Sequence, residues 1–291
     1  MRHFRAKIFS FILVLSLFVP LHADEGMWLF NMPPSSILKA RYNFNVTAEW
    51  LKHIQLASVR FGGASGSFVS PDGLVLTNHH VGQNAIQNLS TKDRDLMKTG
   101  FYARTRAEEL RAPGLELMVL QEIEDVTAKV LGAETSDMTA AQAAAAREKV
   151  IAALEKESSE KTGLRSTVVN LYSGSMFHLY KYKVYTDVRL VFAVEYAAAF
   201  FGGDPDNFTY PRYDLDITLF RIYENDKPLN SKHYLKWDSA GVKEGDLVFA
   251  SGHPGSTGRL LTLAQMEFLR DVSYPYTISN YERRRALLKE F

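Results

Sequence analysis

The chain reads as a mainly β protein with helical excursions, an antiparallel barrel or sandwich rather than a doubly wound parallel sheet. Three observations carry this. Candidate strands at residues 57–61, 115–123, 166–171, 177–184, 186–195, 216–223 and 246–251 are short, closely spaced and separated by turns. Two β-rich runs flank Ser70-Pro71-Asp72-Gly73, which is hairpin turn chemistry. Residues 139–158, with alanine at every position from 143 to 146, form the clearest helix and read as an exposed surface excursion.

Composition bounds the rest. The 291 residues are 46% hydrophobic and 23% charged, which suits one large or two medium domains and is too apolar for a disordered chain. Lys+Arg 34 against Asp+Glu 33 implies neither a basic surface for nucleic acid nor an acidic tail. The absence of cysteine removes disulfide frameworks, Cys-ligated zinc, iron–sulfur clusters and thiol nucleophiles.

The elements follow in order. Arg2, Arg5 and Lys7 precede an apolar run at 8–19, and Pro20-Leu21-His22-Ala23 ends on a small residue. This is the grammar of a secretory signal peptide over residues 1–23, and the run is shorter than the ~20 residues a membrane span needs. The expectation is an exported protein, periplasmic or extracellular, without a membrane anchor. Losing those three cations leaves 31 against 33 acidic groups, a net charge of −2. Residues 28–34 form an extended lead-in, and a short helix at 48–54 is capped by Thr47. Residues 260–269 and 278–288 read as helix, and 287–291 carry no Gly, Asn or Pro stop signal. The expectation is a helical region, residues 261–291, that continues in a longer parent.

The chemistry concentrates where the strand before Thr77-Asn78-His79-His80-Val81 delivers two histidines into a polar turn. A metal site is disfavoured: adjacent side chains of an extended segment face opposite sides, and no H-E-x-x-H spacing adds ligands. A general base fits better, because a neutral imidazole suits proton abstraction near neutral pH. Such a base needs an orienting carboxylate. Asp214 and Asp216 precede the apolar run Ile217-Thr218-Leu219-Phe220 and share one face, so spacing alone leaves both open.

The motif F-V-S-P-D-G-L-V-L-T-N-H-H at 68–80, with the glycine-rich run 62–66 before it, resembles the hairpin leading to the catalytic histidine of chymotrypsin-like peptidases. Asp216-Ile217-Thr218-Leu219-Phe220 resembles the strand carrying their aspartate. More narrowly, these motifs, residues 85–87 and 180–192, F-G-G-D-P-D-N-F-T-Y-P-R at 201–212 and Gly252-His253-Pro254-Gly255 together resemble bacterial exported dipeptidyl aminopeptidases of serine peptidase family 46. The likeness runs from about Trp28 to the last residue. It implies a first chymotrypsin-like barrel over residues 24–260, followed by the beginning of a helical domain. It implies His80 as catalytic base and Asp216 as its orienting carboxylate. Asn207 would hold the free α-amino group of a peptide substrate, and Phe208, where the family usually has Trp, would offer an aromatic face. No metal or cofactor is implied, and a homodimer is a family expectation.

Two departures stand out. Many members carry a cysteine pair bracketing the hairpin, where this chain has Ala64 and Val81. The nucleophile is also missing: Ser65 of Gly63-Ala64-Ser65-Gly66 has the G-x-S-G spelling but precedes the histidine, and Ser251 and Ser256 follow the aspartate without the motif. The expectation is therefore the N-terminal portion of a serine-type dipeptidyl aminopeptidase, inactive by itself. The alternatives are a non-catalytic module binding peptide N-termini, or a trypsin-fold structural or chaperone-like protein.

Overall fold

In the computed structural model, which describes residues 26–203, 213–254 and 261–290, most of the short apolar runs pair into one antiparallel sheet. Its strands are β1 (Ser58–Phe61), β2 (Ala64–Phe68), β3 (Leu74–Thr77), β4 (Phe101–Tyr102), β5 (Leu110–Arg111), β6 (Leu117–Asp125), β7 (Arg165–Leu171), β8 (Met176–Tyr185), β9 (Asp187–Ala193), β10 (Thr218–Glu224) and β11 (Lys227–Pro228). The order across the sheet is β4-β9-β10-β3-β2-β1-β6-β8-β7, with β5 on β9 and β11 on β10. Thr186 alone separates β8 from β9, yet the two strands lie on opposite flanks of this order. Residues two apart are at most about 7 Å apart, so the sheet curls strongly to bring its flanks together. The main core draws Val59, Phe68, Val75, Leu117, Leu190 and Phe220 from both flanks.

The hairpin forms as its turn residues require. Gly73 sits at φ +74°, and a Cβ there would meet the Ile222 carbonyl oxygen at 2.9 Å. The turn is tied to β10 by charge. Arg221 on β10 donates to the Asp72 backbone oxygen at 2.8 Å and to Glu109 Oε1 at 2.9 Å, and Tyr223 donates its hydroxyl to Glu109 Oε2 at 2.9 Å. Burial pushes the Asp72 carboxyl up, but the Ser70 hydroxyl and the Arg221 and Arg106 guanidinium groups outweigh it and hold it below the usual range.

The described helices are α1 (Ser35–Tyr42), α2 (Ala48–Ala57), α3 (His79–Leu89), α4 (Leu96–Thr99), α5 (Thr127–Leu131), α6 (Ala140–Thr162), α7 (Tyr196–Ala199), α8 (Leu263–Phe268) and α9 (Tyr274–Lys289). Thr47 caps α2 as expected, its hydroxyl accepting from Trp50 N. Helix α6 is longer than expected and only partly exposed. Val150, Ile151 and Leu154 pack against Val126, Val130, Phe177 and Leu179, and Gly163 ends the helix in the left-handed conformation.

Two expectations are corrected. Residues 246–251 form no strand: Phe249 packs on Phe44 and Trp50 with ring centroids 5.2 and 4.9 Å away. A β-prone run needs a partner ladder, and side-chain packing holds this one instead. The histidines at 79 and 80 are not in a turn after a strand but open an eleven-residue helix, α3. Within the expected helix, α8 spans Leu263–Phe268 and runs into one π turn at Leu269–Ser273, which continues into α9. Leu263, Met266, Phe268, Ile278 and Leu288 of this arm are exposed.

Candidate active site

The register of β3 and β10 assembles the site. Thr77 pairs with Thr218, so the residues following Thr77 run beside those preceding Thr218 in the antiparallel pair. Both threonines are buried, and Thr218 Oγ1 donates to the Phe192 carbonyl at 2.7 Å, fastening β10 to β9. Helix α3 then departs from β3, close against β10. A Cβ on Gly82 would meet Thr218 Cγ2 at 2.8 Å, so only glycine allows this approach. Val81, Ala85, Ile86 and Leu89 form the apolar stripe that packs α3 on the main core.

His80 and Asp216 meet at this junction. His80 Nδ1 lies 2.6 Å from Asp216 Oδ2, and the His80 backbone N–H donates to Asp216 Oδ1 at 2.9 Å. The side chain of Asp216 is 5% exposed and that of His80 is 50% exposed. A carboxylate only accepts, so Nδ1 carries the proton and Nε2 is the nitrogen with a lone pair for chemistry. Asp216 also sits at the N-terminus of α3, where the helix dipole favours its anionic form. Asn78 Nδ2 donates to the backbone oxygen and to Oδ2 of Asp216, both at 3.2 Å.

The other histidine of the pair is placed differently. His79 is 1% exposed, burial pushes its pKa down against the pull of Asp216 and the Val194 carbonyl, and the ring is neutral at pH 7. Its Nε2 is a buried nitrogen without a hydrogen-bond partner among the described residues. The expectation that neighbouring histidines diverge holds, although helical geometry and not strand pleating separates them. Asp216 rather than Asp214 is the carboxylate at hydrogen-bond distance from His80.

The candidate serines have other partners. Ser65 Oγ accepts the backbone N–H of His253 at 2.7 Å, and Ser251 Oγ accepts from Ser58 Oγ at 2.9 Å. Both hydroxyls fasten residues 251–253 to β1 and β2. Asn207, Phe208 and Ser256 lie outside the described residues, as does the leader-like stretch 1–23. Val81 packs on the main core, while Ala64 is half-buried opposite Phe61 in the hairpin sheet. Asn78 is the site residue to which the sequence reading assigned no role. Its signal was an N-cap residue type directly before a helix-period apolar stripe at 81, 85 and 89. Among the described residues, no group of three or more His, Cys, Asp or Glu could hold a metal ion, and no helix is long and apolar enough to cross a membrane.

A buried carboxylate that holds a half-exposed imidazole by Nδ1 leaves Nε2 open to accept a proton. Comparison with known proteins agrees in family: residues 23–291 match the Peptidase S46 model, and the chain belongs to that family. Dipeptidyl-peptidase 7 of Phocaeicola vulgatus is 34% identical over 288 residues, covering 90% of this chain and 40% of the relative. An Asp/Glu-specific dipeptidyl-peptidase of Porphyromonas endodontalis is 33% identical over 267 residues, covering 83% of this chain and 37% of the relative. The crystal structure of Porphyromonas endodontalis DPP11 in complex with the dipeptide Arg-Glu superposes with a TM-score of 0.64 at 31% identity, covering 77% of this chain and 35% of that one. The chain thus spans about two-fifths of the length of the curated relatives it matches.

Proposed function

We propose that this chain supplies the base and its orienting carboxylate to a serine-type dipeptidyl-peptidase, an exported enzyme that releases dipeptides from the free N-terminus of peptides by acyl transfer. The observation that carries the reading is the 2.6 Å contact from His80 Nδ1 to a nearly buried Asp216 carboxylate, within a chain of the S46 family. His80 takes the proton of the attacking hydroxyl through Nε2 and returns it to the leaving amine, while Asp216 keeps the ring in the useful tautomer. In this reading the nucleophilic serine is supplied from elsewhere in the enzyme, and Ser65 and Ser251 instead hold residues 251–253. The curled sheet, with a core drawn from both flanks, supports a first chymotrypsin-like barrel over residues 24–260. Residues 261–291 then begin a helical domain.

Peptide substrates fit the dipeptide complexes of the structural neighbours. In this reading Asn207 accepts a hydrogen bond from the substrate's α-ammonium and Phe208 gives it an aromatic face, contacts that would count residues from the N-terminus. No metal or cofactor takes part. Residues 1–23 would direct export and be removed.

The test is turnover of dipeptidyl-naphthylamides. The purified chain alone is expected to give none. A chimera in which residues 26–291 replace the matching region of the Phocaeicola vulgatus relative is expected to give turnover that His80→Ala abolishes. Turnover by the chain alone, or a chimera indifferent to His80→Ala, overturns the reading.

A further inference from the structure

Asn78 occupies the N-cap of α3, where an asparagine side chain ordinarily accepts an N–H from the first turn. It makes no such bond. The cap is supplied from another segment: Asp216 Oδ1 accepts the His80 N–H at 2.9 Å. The Asn78 side chain instead donates to the Asp216 backbone oxygen and to Oδ2, both at 3.2 Å. Both partners are acceptors at this face, so the amide can only point its NH2 group toward them. Asn78 is exposed and has water as an alternative partner. The residue type best suited to capping α3 thus leaves that task to Asp216 and reaches the carboxylate itself.

We propose that Asn78 is a positioning residue acting through Asp216: its amide shares Oδ2 with His80 Nδ1 and so limits how strongly that oxygen draws on the ring, while Oδ1 caps α3. This rests on the reading of His80 as base and Asp216 as its carboxylate. The donor also tempers the pair. Asn78 Nδ2 and His80 Nδ1 share Oδ2, and a donor on that oxygen stabilises its charge and lowers its pull on the imidazole proton. Removing Nδ2 leaves Asp216 the stronger acceptor, and the His80 imidazolium is then held more tightly. Among the described residues, Asp216 and His79 are titratable groups near the ring in this junction, and burial holds His79 toward its neutral form.

The experiment separates positioning from capping. Serine is as good an N-cap as asparagine, so Asn78→Ser preserves or improves α3 locally while removing the amide donor. The midpoint of the His80 imidazole titration is read by NMR on the chain itself, without substrate, beside the thermal midpoint. In Asn78→Ser the thermal midpoint is expected to stay near that of the parent. The His80 protonation equilibrium is expected to shift upward roughly threefold to tenfold. A His80 midpoint that stays in place or falls in the folded variant overturns the proposal. Should Asn78→Ser fail to fold, Asn78→Asp keeps the shape and cannot donate when ionised. It is expected to raise the midpoint further, and an unmoved midpoint there overturns the proposal equally. No turnover enters these readouts. A failed positioning role therefore leaves the peptidase reading intact, and a failed peptidase reading shows only in the chimera assay.

Discussion

The two ends of the β3–β10 pair each gather carboxylates, but with different cations. At the hairpin-turn end, Asp72 and Glu109 face Arg221, whose side chain is 11% exposed and whose charge is permanent. At the helix end, Asp216 faces His80, whose side chain is half exposed and whose charge can come and go. The same strand register sets both: Arg221 lies opposite Leu74, and Thr218 lies opposite Thr77. A permanent cation between the buried Glu109 and the part-exposed Asp72 makes a fixed clamp. A titratable ring on a buried carboxylate, open on one side, has the geometry of the proposed proton carrier. The clamp ties the turn to β10, and the shared register sets Asp216 beside the ring.

Arg221→Ala breaks the clamp and carries the largest expected effect. Glu109, with its side chain 3% exposed, then keeps only the Tyr223 hydroxyl of these two partners. Leaving a buried charge uncompensated costs about 3–5 kcal/mol. Urea unfolding at neutral pH measures this, and a loss below about 1 kcal/mol would mean that the clamp is not what holds the turn.

Much of this architecture was legible in advance, for reasons that differ by element. The strands at β6 to β10 appear where β-branched and aromatic residues cluster between turn signals. Spacing alone leaves Asp214 and Asp216 open, and only the family resemblance of the two motifs singles out His80 and Asp216. Three features could not be anticipated. Residues 246–251 carry strand-forming side chains, but a strand is a pairing, and no sequence window shows that Phe249 packs on Trp50 instead. The apolar half of α6 looks solvent-exposed when read beside its alanines, because the surface that covers Val150 and Leu154 comes from α5 and β8. The different fates of His79 and His80 depend on which side of α3 faces β9 and β10. That follows from the tertiary placement of Asp216 and Val194.

His253 sharpens the comparison from the other direction, as a titratable ring with no carboxylate. It stacks near Phe30 and Tyr182, each 5.9 Å away between centroids, and its Nε2 is buried without a partner among the described residues. Burial pushes its pKa down to about 4, and Arg60 adds to the shift. Neutral in the folded state, the ring binds a proton more readily when unfolded. Its contribution is fully present above its ordinary value of 6.5 and is lost as pH falls toward 4. The expected loss is roughly 3 kcal/mol across that window. Unfolding free energies at several pH values, compared between the parent and His253→Phe, should show a shallower acid slope in the variant. Equal slopes would remove His253 from the account of acid sensitivity.

The smallest expected effect on stability belongs to the residue with the largest assigned role. His80→Ala removes the imidazole from Asp216 but not the backbone N–H at residue 80, so the carboxylate keeps its place at the start of α3 and its Asn78 contacts. The lost ring is half exposed, and ion pairs of that kind contribute about 1 kcal/mol or less. The predicted change in unfolding free energy is therefore several-fold below that of Arg221→Ala. Parallel urea melts of the two variants at pH 7 decide it. Should His80→Ala cost as much as Arg221→Ala, the two ends of the strand pair would be doing the same structural work. Holding the 2.6 Å contact would then be explained by stability and not by proton transfer.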